Sequence, residues 1–234
     1  MTGIFHGIQA FGIGLLTTLV FSGVVGAETY KIDASHSSVG FSIKHIFSKV
    51  PGNFRKFSGK IVYDPANPAG ASVNATIITA SIDTDNDRRD GHLKSPDFFH
   101  VADYPEASFK SNSVKKDGDR LLVSGDLTIR GVTKSVVMPV EVLGVGIHPM
   151  SKAGVAGFSG AITIKRSDYG VNHWVDEVPG LLGEDVTLTL NVEAAAVGKM
   201  NPCNPCAVNP CAKNPCEKNA CNPCAKNACN PCGK

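Results

Sequence analysis

Cysteine is absent from residues 28–198, although the whole chain contains eight. A stretch of this length can bury about 70% of the surface that its unfolded chain exposes, so it can fold as one domain without disulfides. The absence also removes a cysteine nucleophile from this part of the chain. The sequence therefore divides into a leader (residues 1–27), a cysteine-free domain (residues 28–198) and a cysteine-rich tail (residues 199–234).

Sequence signals for catalysis are missing as well. The domain contains no metal-protease helix motif and no glycine-rich phosphate loop. The segment Gly157–Ala161 lacks the last glycine of a nucleophile elbow, and Ser113 and Lys116 have a Ser-x-x-Lys spacing without its companion motifs. These absences predict a protein that is not an enzyme, has no cofactor and has no metal site in the domain.

Charged side chains are absent from the leader, Met1–Ala27. Its apolar run ends in Val25-Gly26-Ala27, with small residues at the two positions that a signal peptidase reads. The alternative is a retained membrane anchor, but the run is shorter than the roughly 20 apolar residues of a spanning helix. We expect cleavage after Ala27 and export to the periplasm.

The domain has almost no net charge. Of the 23 basic and 21 acidic residues of the chain, five lysines and one glutamate lie in the tail. The tail is therefore positive, whereas the domain has two more acids than bases. Because proteins that bind nucleic acid present a strongly basic surface, nucleic acid is excluded as a partner.

Apolar and polar residues alternate through most of the domain, as in β-strands with one buried face. The clearest run places Val186, Leu188, Leu190 and Val192 on one face. Further apolar faces are formed by Val39, Phe41, Ile43 and His45; by Phe57, Gly59, Ile61 and Tyr63; by Val73, Ala75 and Ile77; and by Val136, Met138, Val140 and Val142. Antiparallel strands joined by short turns build a sandwich or a barrel. The sequence thus predicts an all-β fold.

Two details favour a barrel that holds a ligand. The runs number about eight, which is the strand count at which a barrel can enclose one small molecule. Small residues such as Gly59, Ala75 and Ala161 occupy the apolar phase. Pro139 predicts a sheet edge or a bulge. One short helix is expected within Asp85–Lys94, with Thr84 or Asp85 as its N-cap.

The block from Ser81 to Pro105 is charged and irregular, and such loops often carry binding residues. It contains SIDTDNDRRDGHLKSPDFF and is followed by YPEASF, GDLTIRGVTKSV and IKRSDYGVN. These ordered motifs resemble the YceI-like family of periplasmic polyisoprenoid-binding proteins, over about Tyr30 to Ala196. The resemblance implies an antiparallel eight-stranded lipocalin-like barrel with a short helical insert. Its interior would hold an isoprenoid lipid, such as a polyprenyl phosphate or a quinone.

The apolar strand faces and the irregular block supply the residues that we expect to bind the lipid. These are Phe41, Ile43, His45, Phe57, Ile61, Ile77, Arg89, His92, Phe98, Phe99, Met138, Val140, Leu188 and Leu190. Beyond the lipid, the expected partners are the inner membrane or a protein within it, in a transient contact, and a second copy of the chain.

Charged residues of the block have two interpretations. Arg89 or Lys94 could meet an anionic or quinone head group at the barrel mouth, since a guanidinium suits phosphate geometry. Alternatively, Arg89 pairs with Asp90 and fixes the loop, as charged loop residues often do. His92 could contact the ligand or only hydrogen-bond within the loop.

Three further positions also have two interpretations each. His45 lies on an apolar strand face, either as a polar group in the cavity or as a hydrogen-bonded core residue. Phe98 and Phe99 form a plug that closes the barrel or part of the cavity wall. Trp174, the only tryptophan, is a lid residue or an interface residue.

The tail holds all eight cysteines among Asn, Pro, Ala and Lys, with almost no apolar residues to form a core. Local disulfides in an oxidising compartment, capture of a soft metal such as Cu(I) or Zn, and a solvated extension are the three interpretations. The paired C-x2-C spacings that suit a metal are Cys203 with Cys206, Cys221 with Cys224, and Cys229 with Cys232. The alternative function is therefore periplasmic thiol or metal handling through the tail.

Overall fold

The computed structural model describes residues 27–175 and 177–198. The predicted leader and cysteine-rich tail lie outside these residues, so cleavage, disulfides and metal binding by the tail stay predictions. The strands are β1 (Glu28–Ile32), β2 (Ser38–His45), β3 (Ser48–Phe54), β4 (Phe57–Tyr63), β5 (Ser72–Ile78), β6 (Ile82–Asp83), β7 (Glu106–Asp117), β8 (Arg120–Ile129), β9 (Val132–Ile147), β10 (Gly154–Lys165) and β11 (Leu182–Ala196). One α-helix, α1 (Asp87–Lys94), lies between β6 and β7.

The strands form an antiparallel barrel that closes between β1 and β11. The ring has eight members, in the order β1-β4-β5-β7-β8-β9-β10-β11. The other three strands extend members of the ring beyond a short break, β2 extending β1, β3 extending β4 and β6 extending β5. Each long strand therefore pairs with the next one along the chain. This confirms the eight-stranded barrel and excludes the sandwich.

The connections gather at the two ends of the barrel. One end, here called the helix end, carries α1, the β2–β3 hairpin with Ile46 and Phe47, and the loop between β10 and β11. The opposite end, called the terminal end, carries the start of β1 and the end of β11, where Tyr30 pairs with Ala196. The described chain therefore enters and leaves the barrel at the end opposite α1.

The alternation read from the sequence gives the correct inward face on almost every strand. Along β11, for example, Leu188 and Leu190 line the interior. Ala161 is the exception, because it is exposed opposite the exposed Thr189 while its neighbour Gly160 faces inwards. Its assignment to the apolar phase was wrong by one position, and a one-residue slip moves a side chain to the opposite face.

Two glycines make room for aromatic rings on the inner face. A Cβ atom at Gly52 would lie 2.3 Å from Cζ of Phe41, the residue paired with it on β2. A Cβ atom at Gly125 would lie 2.6 Å from Cζ of Phe109 on β7. Both rings therefore lie across a glycine of the neighbouring strand, where any side chain would collide with them.

Pro139 lies where β9 changes its pairing. It is opposite Leu122 on β8, whereas the pairing of β9 with β10 ends at Val140. The ladder to β10 therefore ends beside Pro139, which has no N–H to donate, although β9 is a member of the closed ring and not an edge strand. Among the described residues, no helix combines the length and apolar character that a membrane span requires.

Candidate functional site: an apolar cavity with a polar mouth

An elongated cavity of about 770 Å³ occupies the interior of the barrel. Along β11 its lining residues extend from Leu182 to Val192, which corresponds to about 30 Å of extended strand. Ligand cavities commonly measure about 300–1,000 Å³, so the volume suits one bound molecule. The length along the strand suits an extended molecule better than a compact one.

All fourteen residues that the sequence analysis selected for the ligand line this cavity. They are Phe41, Ile43, His45, Phe57, Ile61, Ile77, Arg89, His92, Phe98, Phe99, Met138, Val140, Leu188 and Leu190. Several that point inwards, such as Phe41 and Leu190, are only half-buried because they border the cavity and not a packed core. The structure brings the fourteen together, and their contact with a ligand stays a prediction.

The terminal end of the cavity is closed by a packed aromatic and aliphatic cluster. Tyr63 and Phe158 meet edge to face, with ring centroids 5.5 Å apart. Tyr30, which is 1% exposed, donates a hydrogen bond from its hydroxyl to Glu28 Oε2 at 3.1 Å. Burial, followed by this bond to Glu28, raises the pKa of Tyr30 to about 12. Solvent access to the cavity through this end is therefore blocked.

The helix end is where the cavity meets solvent. The exposed residues of its lining are His45, Ser58, Asn86, Arg88 and Arg89. All except Ser58 lie on α1, at its N-cap or at the end of β2. We call this opening the mouth. The cavity thus has an apolar closed end and a polar, partly cationic open end.

The backbone at the mouth is held by a network around Thr84. Asp90 accepts hydrogen bonds from the Thr84 backbone N–H at 3.0 Å and from the Thr84 hydroxyl at 2.5 Å. Arg89 donates from Nε to that hydroxyl oxygen at 2.7 Å and from Nη2 to the Thr84 carbonyl at 2.6 Å. The predicted Arg89–Asp90 pair was therefore wrong in its partner, since both residues fix Thr84.

Asn86, and not Thr84 or Asp85, caps the helix. Its side-chain oxygen accepts a hydrogen bond from the Arg89 backbone N–H at 3.0 Å. Asp85 instead has a left-handed backbone with φ 57, which ends β6 and turns the chain into α1. The predicted N-cap was thus misplaced because Thr84 is already engaged by Asp90 and Arg89.

For Lys94 and His45, the structure argues against one of the two interpretations drawn from the sequence. Lys94 is not among the described residues that line the cavity, so the structure does not support its contact with a head group. His45 lines the cavity but is exposed, which excludes the interpretation as a core histidine. Arg88, on the same helix, does line the cavity and is exposed.

Aromatic side chains form the wall just inside the mouth. Phe98 is 4% exposed and both Phe98 and Phe99 line the cavity, so they close this end of the core and also form its wall. Trp174 lines the cavity as well, and its ring lies 6.0 Å from that of Phe98 and 5.4 Å from that of His92. The sole tryptophan is therefore part of the mouth.

Arg166 and Tyr169 were not predicted from the sequence, although both line the cavity and are only 5% and 1% exposed. Arg166 donates to the carbonyls of Gly183, Val171 and His173 at 2.8–2.9 Å, but its Nη2 has no partner among the described residues. Burial lowers the pKa of this guanidinium. Both residues belong to the motif IKRSDYGVN, and this motif was the one feature of the sequence that could have indicated them as site residues.

A group of titratable side chains lies beside this wall. His92 Nε2 is 2.9 Å from Asp97 Oδ2, and His173 Nε2 is 3.9 Å from the same oxygen. The hydrogen bond from His92, with smaller contributions from the charges of His173 and Arg130, lowers the pKa of Asp97. No spacing in the sequence indicates that these three residues are neighbours, because His173 comes from a distant loop.

Comparison with known proteins places the chain among relatives of the same architecture. The model of the YceI-like domain matches residues 30–194. Protein YceI from Escherichia coli O6:H1 is 40% identical over 185 residues, covering 78% of this chain and 94% of the relative.

Solved structures of similar proteins have the same fold as this chain. BcnA from Burkholderia cenocepacia has a TM-score of 0.64 at 29% identity and covers 70% of this chain and 99% of its own. A polyisoprenoid binding domain from Saccharophagus degradans has a TM-score of 0.54 at 19% identity and covers 72% and 98%; at that identity it supports the fold alone. With the match of the domain model and the E. coli relative, these findings show that the chain belongs to the YceI-like family.

Proposed function

We propose that the protein binds one long-chain isoprenoid lipid inside the barrel, without catalysis, in the periplasm. The observation that carries the proposal is the elongated apolar cavity, closed at the terminal end and open at the helix end. Each CH₂ group that moves from water into such a wall contributes about 0.8 kcal/mol. A long hydrocarbon chain thus gains enough free energy to be held without covalent chemistry.

The polar end of the lipid is expected at the mouth. Polar and charged lining residues gather there, whereas Val73, Val114 and Leu121 line the closed end. Arg88 is exposed in this lining and offers a guanidinium to a phosphate or a quinone oxygen. This orientation supports a polyprenyl phosphate or a quinone-like lipid as the ligand class.

The β2–β3 hairpin supports a transient contact with the inner membrane. Phe47 at its tip is 99% exposed and Ile46 is 42% exposed, at the same end of the barrel as the mouth. Lys44 and Lys49 flank the tip and are exposed. An apolar tip between two cations suits the interface of an anionic membrane. The lipid would then enter and leave at the end that meets the membrane.

The direct test is mass spectrometry of an organic extract of the purified protein. We expect a prenyl lipid in about equimolar amount, chemically identical before and after incubation with the protein. Extracts that contain only straight-chain lipids would reject the isoprenoid assignment, and extracts without any lipid, from protein that also fails to bind added polyprenyl phosphate, would reject the binding proposal.

A matched pair of variants tests whether the cavity is the binding site. Leu188→Trp fills the cavity halfway along β11, whereas Thr187→Trp adds the same side chain at the adjacent position, which does not line the cavity. We expect Leu188→Trp to abolish lipid recovery and Thr187→Trp to retain it, with both variants folded by circular dichroism. Equal recovery from both variants would place the lipid elsewhere.

A further inference from the structure

His92, Asp97 and His173 form a compact group that we call the mouth cluster. The ligand atoms of the three side chains, one from each, all lie within 4.8 Å of one another. Asp97 Oδ2 is at the centre, 2.9 Å from His92 Nε2 and 3.9 Å from His173 Nε2. Two imidazole nitrogens and one carboxylate oxygen thus converge on the same small volume.

The backbone next to Asp97 and at His173 is fixed by arginine side chains. Arg130 donates to the Pro96 carbonyl at 2.8 Å and to the Gly170 carbonyl at 2.6 Å, which ties the turn after α1 to the loop between β10 and β11. Arg166 donates to the carbonyl of His173 itself at 2.8 Å. The relative position of Asp97 and His173 is therefore set by the fold before any ion binds, and His92 on α1 is held to Asp97 by the 2.9 Å contact between their side chains.

The imidazole rings are oriented by aromatic neighbours. The His92 ring lies 5.0 Å from that of Phe98 in an edge-to-face arrangement, and the His173 ring lies 4.6 Å from that of Trp174. The three side chains of the cluster are between 27% and 50% exposed, so an ion could reach them from solvent. An apolar surround that still permits entry is typical of metal sites in proteins.

The separations fit a transition metal of the zinc class. Zinc binds imidazole nitrogen and carboxylate oxygen at about 2.0–2.2 Å in a tetrahedral arrangement, which requires ligand atoms roughly 3.3 Å apart. The observed separations of 2.9 and 3.9 Å from Asp97 Oδ2 bracket that value. The two imidazole ligand atoms lie within 4.8 Å of each other, so the third separation must shorten when an ion binds.

We propose that the mouth cluster binds one divalent transition-metal ion, with zinc as the prototype. Two histidines and an aspartate hold the ion, and water occupies the remaining position of the tetrahedron. Because His92 lies on α1 and His173 lies on the loop between β10 and β11, the bound ion joins these two elements across the mouth. It thereby stabilises the helix end of the barrel. None of the three ligands is a cysteine, and His92 also lines the lipid cavity, so the ion would lie beside the polar end of a bound lipid.

A second group of potential ligands is less suited to an ion. It contains Asp33, His36 and Glu193, with a single imidazole. Asp33 Oδ1 already accepts two hydrogen bonds from Ser35, and Glu193 Oε1 is 4.0 Å from His36 Nδ1. This group provides a control position for the experiment.

The chain contains its own reporter for the mouth cluster. Trp174 is the only tryptophan, and its ring lies within 5.4 Å of both histidine rings. A paramagnetic ion such as Ni²⁺ bound by these histidines quenches tryptophan fluorescence at this distance. The tail can be silenced by reduction followed by iodoacetamide, because all eight cysteines lie in the tail and alkylation then blocks their thiols.

The experiment titrates Ni²⁺ into the alkylated full-length chain while Trp174 fluorescence is recorded, and repeats the titration for His173→Gln, Asp97→Asn and His36→Gln. We expect saturable quenching in the parent protein, apparent affinity at least about tenfold weaker in His173→Gln and Asp97→Asn, and no change in His36→Gln. Zn²⁺ should displace Ni²⁺ and should raise the melting temperature of the parent and of His36→Gln, but not of His173→Gln or Asp97→Asn.

Two results of the Ni²⁺ titration would overturn the proposal. Absence of saturable quenching in the parent overturns the proposal, as does equal affinity in the parent and in His173→Gln. Asp97→Asn preserves the shape of the side chain and its hydrogen bond to His92, so it reports on the ligand role even if His173→Gln alters the loop. If the histidine–aspartate contacts only fix the loop, the Asn variant will bind Ni²⁺ no differently from the parent.

Discussion

Asp90 and Thr84, which are only 8% and 6% exposed, are joined by two hydrogen bonds. Asp90 Oδ1 accepts both hydrogen bonds, one from the Thr84 backbone N–H and one from the Thr84 hydroxyl. The pair joins the middle of α1 to the end of β6. It therefore determines how the helix sits at the mouth.

Asp90→Ala is expected to lower the free energy of unfolding by about 2–3 kcal/mol, because it leaves two buried donors of Thr84 without an acceptor. The matched control is Asp87→Ala. Asp87 is exposed in the first turn of the same helix, so its loss should cost only about 0.3–1 kcal/mol through the helix dipole. Urea denaturation followed by Trp174 fluorescence measures both. Equal effects would show that the Thr84 pair does not stabilise the helix end.

The faces of the strands could be predicted from sequence because the side-chain period of a strand is fixed at two. Leu188 and Leu190 had to share a face once β11 was recognised. The same rule gave a wrong answer for Ala161, since nothing in its short run indicates which of the two faces is inner. The register shift between Gly157 and Phe158 shows how a local irregularity in β10 complicates counting from one end.

The polar part of the mouth could not be predicted in the same way. Arg166 has the sequence context of an ordinary exposed cation, and it is buried only because two carbonyls of the loop after β10 and one at the start of β11 accept its hydrogen bonds. Asp97 and His173 are neighbours through the closure of the barrel and not through sequence spacing. Such contacts depend on tertiary structure, which hydrophobic periodicity does not encode.

Gly52→Ala and Gly91→Ala are predicted to have opposite effects on stability. A Cβ atom at Gly52 would meet Phe41 at 2.3 Å and Thr84 Cγ2 at 2.8 Å, so overpacking should cost about 1–3 kcal/mol. A Cβ atom at Gly91, within α1, would meet nothing within 4 Å beyond its neighbours and the backbone of its own helix, and alanine is the better helix former by about 0.5–1 kcal/mol.

Chemical denaturation of each glycine variant, alone and in a Phe41→Leu background, measures the effect. Removal of the aromatic ring should relieve most of the penalty of Gly52→Ala and leave the gain from Gly91→Ala unchanged. A penalty at Gly52 that persists without the ring would mean that the contact with Thr84 Cγ2, and not the one with Phe41, requires glycine there.

Tyr30 and Tyr169 make stability fall at high pH. Burial is the main cause that raises the pKa of each hydroxyl to about 12, from 10.0 in the unfolded chain. The folded state therefore keeps protons that the unfolded state releases above pH 10. The stabilisation is complete below pH 10 and is lost as the pH rises through about 12. Tyr169→Phe and Tyr30→Phe should each flatten this decline in denaturation experiments between pH 9 and 11.

The same two variants should differ at pH 7. Tyr30→Phe removes the hydrogen bond to Glu28 and should cost about 0.5–1.5 kcal/mol. The Tyr169 hydroxyl is buried without a partner among the described residues, so Tyr169→Phe should be neutral or stabilising. A loss of stability at Tyr169 as large as that at Tyr30 would reveal a partner for its hydroxyl.

Phe47 is predicted to mediate the contact with a membrane. It stands at the tip of the β2–β3 hairpin, next to Ile46, whose φ of 50 lies in the left-handed region that β-branched residues rarely adopt. The Ile46 backbone N–H donates to the Leu181 carbonyl at 3.0 Å, which holds this conformation and leaves Phe47 99% exposed. An apolar ring presented in this way gains about 1.5–3 kcal/mol on burial.

Phe47→Ser should therefore weaken binding to vesicles containing anionic phospholipid by about tenfold or more, as measured by co-sedimentation. The matched control is Met150→Ser, because Met150 is 84% exposed in the β9–β10 turn at the opposite end of the barrel. If the mouth faces the membrane, the Met150 variant binds as the parent does. Equal weakening by both substitutions would mean that the membrane has no preferred end, and no weakening by Phe47→Ser would remove the hairpin from the contact.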